Sequence, residues 1–200
     1  MPKKKRTLWG AMPARDKAAD DRRIRRGESA RRIGDLYDID WISILSLTSR
    51  NTSDWAFALQ AVALVETALN ASIANVLHVR GAPEGDNEKL RKCIEHLPLL
   101  DGKASKVQFA KAAKFLPQTA EDFINKLAFI RNFYAHSMKN GELSLFEVMN
   151  AKGKKTTKAE YRKAFNLQSD WEILKDDPQL LREEISETLF SHLLYWPLLC

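Results

Sequence analysis

The sequence predicts an all-α, bundle-like domain of about five to seven helices, preceded by a disordered basic arm. Three observations carry that expectation. Apolar residues recur at spacings of three and four in several long segments, as one face of a helix requires. Proline, glycine and capping residues punctuate those segments where helices would start and stop. No series of short alternating runs reads as a set of strands. With 44% hydrophobic residues, the 200-residue chain has material for one core, and its 29% charged fraction is ordinary for a soluble protein.

Residues 1–38 form the predicted arm. The first 33 hold 12 Lys and Arg, including Lys3, Lys4, Lys5, Arg6, Arg22, Arg23, Arg25, Arg26, Arg31 and Arg32, against four acids. That is a net +8 within a chain of net +6, so the remainder carries −2. Few large apolar side chains occur here to offset the entropy of ordering, so disorder is expected, with at most a transient helix near Asp16–Arg32. Such an arm binds polyanions by counterion release without reading sequence. A merely solubilising extension is the alternative.

The all-α domain is expected over residues 39–200. "DLYDIDWISILSLTS" predicts a short helix. Ser53 or Asp54 then caps a long helix to about His78, ended by Gly81 and Pro83. Val62, Val65, Leu69, Ile73 and Val76 fall on one stripe of it, with alanines filling much of the rest. A neighbour can therefore approach on a second side, which marks a central helix. A short helix with Leu90, Ile94 and Leu97 ends at Pro98, and another turns Val107, Ala110 and Ala113 inward and its lysines outward. Thr119, with Glu121 and Asp122 behind it, predicts a helix start, and "KNG" closes that helix after about Met138. "ELSLFEVM" suits a strand or a short helix, and "AEYRKAF" one or two turns. A C-terminal helix over about 178–196 begins with Pro178 near its first position and turns Leu181, Ile185, Leu189 and Leu193 inward.

Several function classes find no support in these residues. Trp55–Val79 is interrupted by Gln60, Glu66, Asn70 and Asn75, so no membrane span or membrane partner is expected. The basic N-terminus lacks the apolar region of a secretory signal. Two cysteines, Cys93 and Cys200, imply no disulfide framework and fit a reduced, cytoplasmic setting. Cys93 and His96 lie one helical turn apart, but a zinc site needs a second pair, so no metal and no other cofactor is expected.

The informative motif is "LAFIRNFYAHSMKNG", Leu127–Gly141. At about 100° per residue, Phe123, Leu127, Ile130, Tyr134 and Met138 form a core face, with Arg131 about 40° round at its edge. Asn132 and His136 lie on the opposite side with Phe129, and Phe133 flanks them. On one straight helix Arg131 and His136 stand about 140° apart, whereas Asn132 and His136 are four residues apart and can meet. Phe129, Phe133 and His136 together suit a homodimer contact or another protein partner.

The run Arg131-Asn132-x-x-Ala135-His136 resembles the Arg-x4-6-His motif of the HEPN superfamily, many of whose members are metal-independent endoribonucleases with a site at a dimer cleft. A closer resemblance is to mannitol operon repressor-like proteins, which share Ile130 to His136, a following Leu143-Ser144 and an upstream apolar helix carrying Glu66 and Asn70. The likeness spans about residues 55–150, within a core running from about 53 to 150. Met138 stands where the toxin-type ribonucleases carry Tyr, and the basic arm belongs to neither resemblance. No helix-turn-helix is legible.

Two functions follow as expectations. One is a non-catalytic regulatory or interaction protein of the mannitol-repressor-like type, dimeric and linked to transcription or nucleic acid through its arm. The other is an endoribonuclease in which, as the resemblance implies, His136 is the general acid/base and Arg131 stabilises phosphorane charge. Asn132 would orient substrate or His136, with Glu66 and Asn70 in support. Against both stands a purely structural use, in which Arg131 pairs with Glu66 across a helix contact.

Overall fold

The computed structural model describes residues 14–79, 87–100, 104–136, 141–151 and 157–196, and among them it contains ten helices and no strand. They are α1 (Ala14–Tyr37), α2 (Trp41–Ser46), α3 (Asp54–Val79), α4 (Asn87–His96), α5 (Lys106–Ala112), α6 (Gln118–Ala135), α7 (Leu145–Asn150), α8 (Lys158–Ala164), α9 (Trp171–Asp176) and α10 (Pro178–Tyr195). The fold is all-α. The count exceeds the predicted five to seven because α1 lies in the segment expected to be disordered, and α7, α8 and α9 are only 6–7 residues long, too short for a periodic stripe to reveal.

α3 is the hub. Ser53 caps it by accepting the Ala56 N–H at 3.2 Å. Val62, Val65, Leu69, Ile73 and Val76 are all buried, with Ala58 on the same stripe, and so are Ala61 and Ala68 on a flanking side. Small side chains there let α1, α4, α5, α6 and α10 all pack against it. By length and composition alone Asp54–Leu77 passes as a membrane span, with mean hydropathy 1.4. Its alanines raise the hydropathy, and 56% of its most apolar window is buried inside the fold, as in a core helix.

The core faces of α6 and α10 match the periodic stripes. Phe123, Leu127, Ile130 and Tyr134 of α6 are buried, as are Leu181, Ile185, Leu189 and Leu193 of α10, where Pro178 does open the helix. The ends of α6 differ from expectation. Pro117 occupies the cap position with no side-chain hydrogen bond, and His136 is the C-cap. Met138, expected on the core face, lies outside the described residues. In α5, Lys106 is not outward. It is 3% exposed, and its ammonium reaches the Glu95 carbonyl at 3.2 Å.

The largest correction concerns the arm. Residues 1–13, with Lys3, Lys4, Lys5 and Arg6, lie outside the described residues, but residues 14–37 form α1, which docks against α2, α3 and α10. Ala30, Ile33 and Tyr37, at spacings of three and four, are buried in the common core, and Tyr37 donates to the Leu193 carbonyl at 2.7 Å. Three apolar positions at that spacing, one of them only an alanine, are too little to announce a core face amid so many arginines. The burial comes from α10 and α3, far along the chain.

Candidate functional site

At the end of α6 the predicted polar cluster divides into two parts. The Arg131 guanidinium donates from Nη1 to Asn132 Oδ1 at 2.9 Å, and its Nη2 lies 3.8 Å from Glu66 Oε1. The Arg131 and Glu66 side chains are 36% and 33% exposed, so solvent screens this ion pair. His136 is exposed, and its backbone N–H donates to the Asn132 carbonyl at 3.1 Å. Among the described residues, no hydrogen bond joins its ring to Arg131 or Asn132. The side chain expected to orient His136 is instead bonded to Arg131.

Asn70, the other expected supporter, lines a cleft of about 540 Å³ with Asp35, Tyr37, Arg91 and Glu95, on the side of α3 that faces α1 and α4. Among the described residues, its buried Oδ1 accepts no hydrogen bond. Phe129 is exposed, whereas Phe133 is partly buried against the core and meets the Tyr134 ring edge-on at 6.3 Å. The predicted exposed aromatic pair is thus one exposed ring beside one largely committed to the core.

Beneath this surface lies a polar network that gives no local signal in the sequence. Asp54 and Arg182, 128 residues apart, form a close ion pair, and both are buried. The second Asp54 oxygen accepts the Leu145 N–H at 2.7 Å, tying the start of α3 to the start of α7 and to α10. The Tyr134 hydroxyl donates to the Leu143 carbonyl at 2.9 Å. Burial, with Asp54 and Glu147 adding negative charge nearby, pushes its pKa well above the ordinary phenol value, so it stays a neutral donor. These contacts fasten helices to one another or, at Leu143, to the segment leading into α7, which is a structural role.

Elsewhere, several cationic side chains gather around one recess. α1 is held to α10 by Arg26, whose Nη1 stands 3.1 Å from Glu183 Oε2, both side chains being mostly buried. Beside that contact, a cleft of about 830 Å³ opens between α1, α2, the segment 48–50 and the first turns of α10. Arg22, Arg23, Arg31 and Arg50 line it together with the acids Asp20, Glu28 and Glu183. Trp41 forms part of its wall, and the Arg31 guanidinium lies 4.9 Å from the centre of that ring. Arg25 and Arg32 project outside the lining as exposed side chains of the same helix. Trp41 and Arg50 do not stand out in the sequence as candidate site residues. Only the folding of α2 back onto α1 brings them to the arginines.

No protein-family model, curated protein or solved structure matches this chain. A further cleft, of about 360 Å³, holds His192 beside Lys163, Glu187 and Ser191. Burial lowers the His192 pKa, and its ring packs edge-on against Phe123 at 5.3 Å. Cys93 is an exposed free thiol, and among the described residues no three His, Cys, Asp or Glu side chains gather at a distance that could hold a metal ion.

Proposed function

We propose that this protein is a non-catalytic regulatory or interaction protein of the mannitol-repressor-like type, acting as a cytoplasmic dimer in transcriptional or nucleic-acid-linked regulation. Nucleic acid is engaged through the arginine-lined cleft of α1. The observation that carries this reading is the gathering of Arg22, Arg23, Arg31 and Arg50 around one recess. A flexible tail offers charge at no fixed place, whereas a docked helix holds guanidinium groups in a geometry that phosphates can meet. The ribonuclease alternative has weaker support, because Arg131 is engaged by Glu66 and Asn132 while His136 stands apart.

Deleting residues 1–33 would be a poor test, since it also removes Ala30 and Ile33 from the core. The cleaner test replaces Arg22, Arg23 and Arg50 together with Gln and follows binding of labelled oligonucleotides by fluorescence anisotropy across salt. For each phosphate that the variant no longer neutralises, the slope of log K against log salt should fall by about 0.7–0.9. An unchanged slope, or no binding by the parent protein even at about 50 mM salt, refutes the reading. RNA cleavage in EDTA that disappears in His136→Ala would replace it with the ribonuclease.

A further inference from the structure

We propose that the α1–α2 cleft takes single-stranded nucleic acid, one base stacking on Trp41 while the flanking phosphates meet Arg22, Arg23, Arg31 and Arg50. This rests on the nucleic-acid reading above and adds to it the strand state and the residue that senses it.

The first support is how firmly Trp41 is held. It is the first residue of α2, and the preceding Asp40 caps that helix by accepting the Ile42 and Ser43 N–H groups, each at 3.2 Å, and the Ser43 hydroxyl at 2.9 Å. One turn earlier, the Ile39 N–H closes α1 on the Gly34 carbonyl at 3.0 Å. A Cβ on Gly34 would stand 2.6 Å from the Ile39 carbonyl oxygen and 3.3 Å from the Trp41 Cβ. Only glycine admits so close an approach, so the base of the Trp41 side chain is pressed against α1. A platform fixed before binding loses little entropy when a ligand stacks on it.

The second support is what surrounds the ring. Trp41 is partly exposed in a recess whose cations are all arginines, and Arg31 already lies over its face. Arginine binds phosphate through a planar fork and also stacks on π-faces, so Arg31 can follow an incoming base or its phosphate. Arg26 is neutralised by Glu183, and Asp20 and Glu28 temper the rest, which leaves a modest positive excess rather than a strong field. Modest charge combined with an aromatic wall is the chemistry of single-strand grooves, where stacking supplies much of the affinity. A duplex keeps its base faces stacked inside and exposes only base edges in its grooves, so it offers the ring in this recess no face to stack on.

The experiment uses the full chain with labelled single strands of about 12 nucleotides, DNA and RNA, and the matching DNA duplex, a length inside the roughly 4–16 nucleotides that such grooves cover. The single strand should bind more tightly than the duplex. Trp41→Leu should weaken single-strand binding by about 5- to 150-fold, the loss expected for one stacked base, and leave the duplex affinity and the salt slope unchanged. Trp41→Phe, which keeps a π-face, should recover most of the loss, and circular dichroism checks that each variant retains its helices. Should Trp41→Leu fail to fold, photocrosslinking of a 5-bromouracil strand to the parent protein decides, because Trp41 is the sole tryptophan of the tryptic peptide Ile33–Arg50. Cross-links in that peptide are expected, and cross-links confined to other peptides overturn the proposal. Equal effects of Trp41→Leu on single strand and duplex, or none on either, also overturn it while leaving nucleic-acid binding intact. Absence of any binding by the parent protein removes the underlying reading instead.

Discussion

Asp54 does two jobs with one carboxylate. One oxygen faces the Arg182 guanidinium and the other accepts the Leu145 N–H, so a single buried charge joins the ends of three helices. Burying charge is costly, and a pair of this kind is stable only while both partners remain. Asp54→Asn should therefore destabilise by about 3–5 kcal/mol in urea unfolding, because it leaves Arg182 charged and unpaired. Arg182→Met should cost a similar amount for the converse reason. The double variant Asp54→Asn, Arg182→Met keeps an acceptor for Leu145 and removes both charges, so it should be more stable than either single variant. Strictly additive losses would show that the pair is not coupled. None of this is legible in the sequence, where Asp54 reads as a capping residue and Arg182 as one charge among several on a C-terminal helix. Arg131 is different: its place at the edge of the α6 core face follows from helical angle alone, although its reach to Glu66 depends on how α3 and α6 pack.

Among the helices themselves, starts are easier to read than stops. Ser53 and Pro178 open α3 and α10 as their residue types predict, and capping boxes at Ser144–Glu147 and Thr157–Glu160 open α7 and α8. Three stops use a left-handed residue that is not glycine: Asp38, Lys114 and Asn166, with φ of 54°, 64° and 49°. After each, the next N–H turns back onto the helix: Ile39 to Gly34, Phe115 to Ala110 and Leu167 to Arg162. In each case the residue making that return is apolar and packs on or in the core, so tertiary contact selects the turn where the local residue disfavours it. Lys114 is the least suited of the three, since a side chain in this region costs roughly 1–2 kcal/mol, offset in part by glycine's greater freedom when unfolded. Lys114→Gly should stabilise by about 0.5–1 kcal/mol, seen as a rise of a few degrees in Tm, and Lys114→Ala should give no such gain. Equal Tm values for the two variants would contradict that account.

Across the assembled fold, α3 supplies the centre and α1 supplies the charge, and packing of α1 against α2 and α10 creates the proposed binding cleft. The proposed dimer belongs to this level as well. Phe129 is 39% exposed, while Phe133 already packs against the core, so a charge placed at Phe133 would confuse association with folding. Phe129→Asp should convert a dimer to a monomer in light scattering with helicity unchanged. An unchanged mass would place any association elsewhere.

Composition and helical periodicity are enough to establish the all-α class, the central role of α3, the inward faces of α6 and α10 and the concentration of positive charge before residue 34. Every long helix must obey a period of 3.6 residues whatever it packs against, so these features can be read without knowing the neighbours. Other outcomes exist only once the helices are assembled: the basic segment is a docked helix, Asp54 meets Arg182, and Trp41 faces the arginines. They join residues distant along the chain, or turn on a few buried contacts such as Ala30, Ile33 and Tyr37, whose burial is conferred by the surfaces they meet.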